Sequence, residues 1–282
     1  MAKPKPLTEE QKKAKRQAEI QELNAAIEQL TSTSGFQLWL KVRTSASLGR
    51  FSLNNQLLIA YQKPDATLVK TFAGWKNLNR KVKKGEHGIL ILRPVVIKVD
   101  ITDPDTGEVI GKEHQLRGFR GLKEFDISQT EGEPIEAMEE KVIGTELLAE
   151  YWDKLVAYAK KLGYTVERVY KIPGGANGTC DPKAKHIRVK NGKRAIDDQV
   201  RTLIHEIAHA HDVDYNRFSR QDAEIIVEQT TAIILIQLGL RNLEVSAQYL
   251  ADWCGGEVAL VKARVNESDK VAVKIEEALG LC

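Results

Sequence analysis

His205-Glu206-Ile207-Ala208-His209 lies within the amphipathic stretch 195–212 and decides how the second half of the chain is read. On a helix, residues four apart share a face. Both imidazoles therefore point the same way and can grip one metal ion. Glu206 sits beside that ion, where its carboxylate can take a proton from water activated by the metal. This is the H-E-x-x-H arrangement of zinc-dependent hydrolases. Ile196, Val200, Leu203, Ile204, Ile207 and Ala208 make the helix a core element, and polar groups buried in a core need partners. The competing reading, two satisfied core histidines beside a surface Glu, explains the spacing less well.

A zinc site needs a further protein ligand, and residues 222–240 (DAEIIVEQTTAIILIQLGL) supply candidates. This segment is apolar almost all round and runs unbroken to Gly239, which predicts a buried helix rather than a strand. Glu224 and Glu228 fall four apart on one face, and an unpaired buried carboxylate costs several kcal/mol. In the gluzincin pattern the nearer Glu binds the metal and an acid four residues later orients a ligating imidazole. Glu224 is assigned as the ligand and Glu228 as its supporting partner, with the exchanged assignment left open. The cofactor expected is Zn2+, with another divalent ion such as Mn2+ as the alternative. His211 is on the wrong face to join the pair.

The length of 282 residues suggests two domains, and 42% hydrophobic with 29% charged residues is the balance of a globular protein. No apolar run reaches the roughly 18 residues of a membrane span, and the charged N-terminus lacks a secretory h-region. Cys180, Cys254 and Cys282 are far apart and odd in number, which fits neither a disulfide framework nor a Cys-x-x-Cys metal site. The expectation is a reduced, cytoplasmic protein with no membrane partner.

The net charge of +3 hides an asymmetry: residues 41–98 hold 12 Lys or Arg against Asp65 and Glu86 alone. Such a block is the footprint of a polyanion, most often nucleic acid; a solvated basic face is the alternative. Lys76, Arg80, Lys81, Lys83 and Lys84 are the candidate phosphate contacts. Trp75 is either a base-stacking platform or core. Asn55 either touches the nucleic acid or caps and turns the chain.

The pattern predicts a mobile basic tail over 1–17, helices over 18–30, 36–42 and 52–60, and a strand over 67–72. A short helix carrying Trp75 follows, then a hairpin with Pro104-Asp105-Thr106-Gly107 at its tip. An acidic linker over 131–141 precedes a helix (144–161), strands at 164–170 and 186–189, the metal helix, the Glu helix and two further helices. Helix, small sheet, H-E-x-x-H helix and Glu helix is the order of a minimal zincin domain. The expected organisation is α+β: a tail (1–17), a nucleic-acid-binding domain (18–135) and a metallopeptidase domain (136–282).

Several pieces together resemble the ArdC-type antirestriction proteins of plasmids and phages. In the first half these are Phe51-Ser52-Leu53-Asn54-Asn55-Gln56-Leu57-Leu58-Ile59-Ala60, Lys63-Pro64-Asp65-Ala66-Thr67, Phe72-Ala73-Gly74-Trp75, the turn Val82-Lys83-Lys84-Gly85-Glu86-His87-Gly88-Ile89, and Phe125-Asp126-Ile127-Ser128-Gln129-Thr130. In the second half they are the H-E-x-x-H run and Glu224-Ile225-Ile226-Val227-Glu228; related members usually carry Ala where this chain has Val227. The resemblance implies a single-stranded-DNA-binding N-terminal domain and a zincin-like C-terminal metallopeptidase domain, and leaves open whether that domain acts on a protein or peptide substrate. It also implies protection of incoming mobile DNA from restriction. A DNA-binding protector with a structural metal, or a DNA-directed peptidase that cleaves a host regulator, are the alternatives. Glu206, which a purely structural site does not need, favours catalysis.

Overall fold

The structure is a computed structural model that describes residues 7–135, 147–192, 194–211, 217–240 and 247–281. Part of the expected linker, Asp212 and Cys282 lie outside these residues. In chain order the elements are helix α1 (Glu9–Glu28), α2 (Thr33–Thr44), α3 (Leu53–Gln62), strand β1 (Val69–Lys70), α4 (Phe72–Asn77) and β2 (Arg80–Val82). The hairpin β3 (Ile89–Thr102) and β4 (Val109–Asp126) follows, then β5 (Thr130–Gly132). After these come α5 (Leu147–Lys161), β6 (Thr165–Val169), β7 (Gly178–Asp181), β8 (His186–Lys190), α6 (Ile196–His209), α7 (Arg220–Gln237), α8 (Ala247–Cys254) and α9 (Val258–Leu279). The mixture of helices and small sheets is the expected class.

The chain forms two compact units, one made of Met1–Ile27 with Asn54–Ile135 and the other of Glu28–Leu53 with Glu136–Cys282. The expected first domain, 18–135, is therefore interrupted. The cause is chemical. Arg43 on α2, almost fully buried, donates from Nη1 and Nη2 to Glu276 on α9 at 2.8 and 3.0 Å and pairs with Asp269. Phe36 packs edge-on against Trp39 and Trp253. A buried guanidinium without these acids would be costly, so residues 28–53 follow their charge partners into the second unit.

The expected mobile tail over 1–17 is also corrected, since α1 begins at Glu9. Thr8 and Gln11 explain the early start: the Gln11 backbone N–H donates to Thr8 Oγ1, and the Thr8 N–H donates to Gln11 Oε1. This reciprocal cap satisfies two orphan donors of the first turn. Ser32 caps α2 by accepting from the Gly35 N–H, and a Cβ at Gly35 would run into the Gln29 carbonyl.

In the first unit the β3–β4 hairpin pairs antiparallel over its whole length, with β1 on the other side of β4. Its loop carries Gly107 at φ 73°, and Asp103 Oδ1 accepts from the Asp105 and Thr106 N–H groups. Asp126, at the end of β4, accepts from the Thr67, Leu68 and Ser128 N–H groups. Burial pushes its carboxyl up, but these hydrogen bonds outweigh that and hold it below the ordinary carboxylate range. In the second unit the sheet order is β6–β8–β7, with β6 parallel and β7 antiparallel to β8. The strand β7 was not predicted. Ile187 and Val189 on β8 are fully buried on the face against α6.

Candidate functional site

Val200, Leu203, Ile204, Ile207 and Ala208 fix one side of α6 in the core, against α5, α7 and the small sheet. The opposite side therefore presents His205 and His209 at one place, each half-buried. Ser219 caps α7 through a reciprocal box with Asp222, whose carboxylate also pairs with Arg264 on α9. That anchor sets where α7 starts, and Glu224 and Glu228 follow on its first turns. Phe218, Ala223 and Ile226 pack with Leu260 and Ala263 beneath them.

The His205 and His209 Nε2 atoms lie 3.2 Å apart, and Glu224 Oε2 is 3.5 Å from His209 Nε2. One ligand atom from each of these residues falls within 4.8 Å of the others. A tetrahedral zinc site with bonds of 2.0–2.1 Å has ligand-to-ligand edges of roughly 3.3 Å. Two nitrogens and one carboxylate oxygen at these separations fit such an ion. Glu228 stands behind: its Oε1 is 3.2 Å from His205 Nδ1. An Nδ1–H donated to Glu228 leaves His205 Nε2 as the lone-pair side toward the ion. Glu224 thus lies with the two Nε2 atoms, and Glu228 lies against the far side of the His205 ring.

The electrostatics follow from crowding five ionisable groups, His205, Glu206, His209, Glu224 and Glu228, in a half-buried site. Burial lowers the His205 pKa, but the Glu228 hydrogen bond and the surrounding carboxylates raise it above the ordinary value. His209 is lowered by burial and by the charge of His205. Glu206 is pushed up to about 7 by burial, opposed by His205 and assisted by Glu224. A carboxyl held near neutrality is suited to exchanging protons.

Two contributors to this site escaped the sequence reading. Gly178 on β7 leaves no space: a Cβ there would meet Glu206 Oε1 at 2.5 Å and the Thr202 methyl at 2.6 Å. It lets β7 run directly along the Glu206 carboxylate. Cys180 on the same strand has its thiol pushed up to about 11 by burial and by the negative charge of Glu206. A glycine inside a presumed loop gave no signal of either. His211 bonds to the Tyr158 hydroxyl at 3.1 Å and stays outside the ligand group, as its helical phase predicts.

The candidate nucleic-acid residues divide. Trp75 is fully buried and its Nε1–H donates to the Phe125 carbonyl at 2.8 Å, so it is core and not a stacking platform. Asn55 is buried too, donating to Leu92 O at 3.0 Å and accepting from Leu92 N–H at 2.8 Å. Its polar atoms satisfy the edge of β3. Arg80 donates to the Thr130 hydroxyl and to the carbonyls of Thr130, Gly132 and Glu133, which ties β2 to β5. Lys83 reaches the Ser128 carbonyl at 2.8 Å. Lys76, Lys81 and Lys84 are exposed. The exposed aromatics of this unit are Tyr61, Phe72 and Phe119, and Phe72 begins the short helix that carries Lys76.

Residues 11–126 match the family described as the N-terminal domain of anti-restriction factor ArdC. The metal-free crystal structure of the antirestriction ArdC protein from plasmid R388 superposes with a TM-score of 0.52, covering 81% of this chain and 85% of that one. Over residues 11–126 the chain is similar to the ArdC N-terminal domain. The Mn(II)-bound structure of the R388 protein gives a TM-score of 0.50, covering 80% of this chain and 84% of its own. Sequence identity is 20% and 18% in the two superpositions, so these matches speak for the fold. No curated protein matches this chain. Among its described residues no helix is long and apolar enough to cross a membrane.

Proposed function

We propose that this chain is an antirestriction protein whose first unit binds single-stranded DNA and whose second unit is a minimal zincin domain of the gluzincin type. The observation that carries the reading is the convergence of His205 Nε2, His209 Nε2 and Glu224 Oε2 beside the buried Glu206. These three residues hold one divalent ion, zinc or, as in the Mn(II)-bound R388 protein, manganese. The ion supplies Lewis acidity that activates water and polarises a carbonyl. Glu206 takes the proton of the attacking water and returns it to the departing amine, a task suited to its raised pKa. Glu228 holds the His205 ring by its Nδ1–H. Strand β7, an edge of its sheet among the described residues and next to Glu206, is where an extended peptide would pair.

In the first unit Lys76, Lys81 and Lys84 supply phosphate contacts, Lys83 lies beside them, and Phe72 takes the stacking role that the buried Trp75 cannot. Preference for single strands follows from stacking on exposed rings, which needs unpaired bases. The discriminating experiment is Glu206→Gln in the full chain. Peptide hydrolysis should fall by roughly 10²–10⁴-fold, while metal content and DNA affinity persist. Protection of incoming DNA is then scored in restricting cells. Loss of protection assigns it to the peptidase, and unchanged protection assigns it to DNA binding alone. Unchanged hydrolysis in a metal-loaded variant removes the zincin reading.

A further inference from the structure

The outer edge of the β3–β4 hairpin is sealed at its base and open along its arm. Strand β3 pairs with β4 on one side, and the sheet order leaves its other side at an edge among the described residues. At the base, side-chain amides close that edge. Gln62 accepts from the Leu90 N–H at 2.7 Å and donates to the Leu90 carbonyl at 3.2 Å, and Asn55 does the same at Leu92. Backbone groups alternate along a strand, so the next outward positions are Pro94, Val96, Lys98, Asp100 and Thr102. Pro94 has no N–H to offer. Both register shifts put the additional residue on β4, at Arg117 and Ile110, so β3 itself runs without interruption. Among the described residues nothing caps its outward backbone from Val96 to Thr102.

Residues 94–104, PVVIKVDITDP, are their own complement about Val99. A second copy related by a two-fold axis at Val99 lays β3 antiparallel against β3. Lys98 of each copy then faces Asp100 of the other, Ile97 faces Ile101, and Pro94 faces Pro104 at both ends. Other axes do worse. An axis at Lys98 sets lysine against lysine and one at Asp100 sets acid against acid, and like charges directly opposite are destabilising. Axes at Ile97 or Ile101 leave both charges facing uncharged residues. A lysine on an edge strand ordinarily repels a neighbour; Asp100, two positions on and on the same face, turns that repulsion into selection of one register. Lys98 forms no ion pair among the described residues, and Asp100 has Lys112 at 3.5 Å with both side chains exposed. On the opposite face Val95, Ile97 and Val99 are half-buried and Ile101 is exposed. Across the ladder they meet Gly118, Gln115, Glu113 and Gly111, so β4 supplies no aliphatic neighbour. The same stripe of a second copy does. A two-stranded ribbon is marginal alone, and further strands steady it.

We infer that the chain self-associates through the outer edge of β3, two copies meeting antiparallel about Val99 so that two hairpins make one four-stranded sheet. Such an isologous contact closes at two copies. An unrelated extended peptide could use the same backbone groups, but the mirrored order of prolines, charges and aliphatics is complementary to this chain itself.

The test uses the full chain, freed of nucleic acid, with its mass followed by sedimentation equilibrium over a concentration series. The parent should pass from one chain to two as concentration rises. Asp100→Lys and Lys98→Asp should each remain at one chain, because each sets like charges across the axis. Mixed together, the two variants should form a heterodimer, since every cross-axis pair is then Lys against Asp. That recovery separates a broken contact from a misfolded chain. Val96→Pro, tolerated on an edge, should weaken association about fivefold or more, one hydrogen bond being lost on each side of the axis. Val99→Cys in a Cys282→Ser background should give a disulfide-linked dimer under mild oxidation, because paired residues at the axis lie about 4.5 Å apart between Cα atoms. Ile110→Cys in the same background should not. A parent that stays at one chain up to its solubility limit would overturn the inference. So would dimers that persist in both charge variants, or variants that fail to pair when mixed.

Discussion

In the second unit His205, His209 and Glu224 aim their ligating atoms at a common point, whereas in the first unit Asn55, Trp75 and Arg80 spend theirs on neighbouring backbone and side chains. The runs that carry the family likeness thus have different physical jobs. Phe125-Asp126-Ile127-Ser128-Gln129-Thr130 is a knot. Asp126 collects three N–H groups, and Gln129 donates to Glu86 Oε2 and the His87 carbonyl, fastening the lysine-rich turn. In the first unit the recognisable residues build the frame and less distinctive lysines face outward. In the second the recognisable residues are those whose ligating atoms converge.

That contrast can be broken most decisively at the metal. His205→Ala or His209→Ala should abolish tight binding of a divalent ion, read by elemental analysis and calorimetry. Glu224→Ala should cost more affinity than Glu228→Ala, for which a loss of about 10–100-fold is typical of an orienting partner. The reverse order would exchange the two roles.

Next in size is Arg43→Ala. It leaves Glu276 buried without its cation and should destabilise the second unit by about 3–5 kcal/mol, seen as a lower denaturation midpoint. Parent-like stability would show that α2 is not held by this pair.

In the first unit, Trp75→Ala and Phe72→Ala should separate frame from surface. The former costs about 3–5 kcal/mol of stability through the cavity it leaves. The latter leaves stability alone and weakens single-stranded DNA by about 1–3 kcal/mol. If Trp75→Ala instead lost DNA affinity while melting normally, the burial argument would be wrong.

The smallest effect concerns the thiols. Burial, with the charge of Glu206 added at Cys180, pushes Cys180 and Cys254 up to about 11. At pH 8 roughly one thiol in a thousand is then thiolate, so maleimide labelling of these two should be slow and rise about tenfold per pH unit. Rapid labelling of either at pH 7 would contradict its burial.

Helical spacing made the candidate site legible, because His205 and His209 on α6 and Glu224 and Glu228 on α7 are local patterns read within one turn each. The hairpin was legible through its Pro-Asp-Thr-Gly tip. What stayed hidden depends on distant partners. The place of α2 follows from Arg43 meeting Glu276, 233 positions away. The burial of Trp75 follows from Phe125, and the strand β7 from its pairing with β8. The exposure of Phe72 beside a buried Trp75 depends on which side of a six-residue helix faces the sheet, and so short a helix has too few turns to announce it.

The excursion of residues 28–53 into the second unit has a consequence for how the chain is made. The peptide crosses between units at 27/28, again at 53/54, and a third time at 135/136. During synthesis Arg43 leaves the ribosome more than two hundred residues before Glu276, while the long β3–β4 hairpin can pair as soon as its loop emerges. Contacts so far apart in sequence form late. The first unit can therefore close around its own hairpin first, with α2 waiting for α9. A fragment cut after residue 135 would carry α2 away from its acids and leave the second unit short of a helix. Dissecting the molecule into working halves requires grafting 28–53 onto the second, not a single cut.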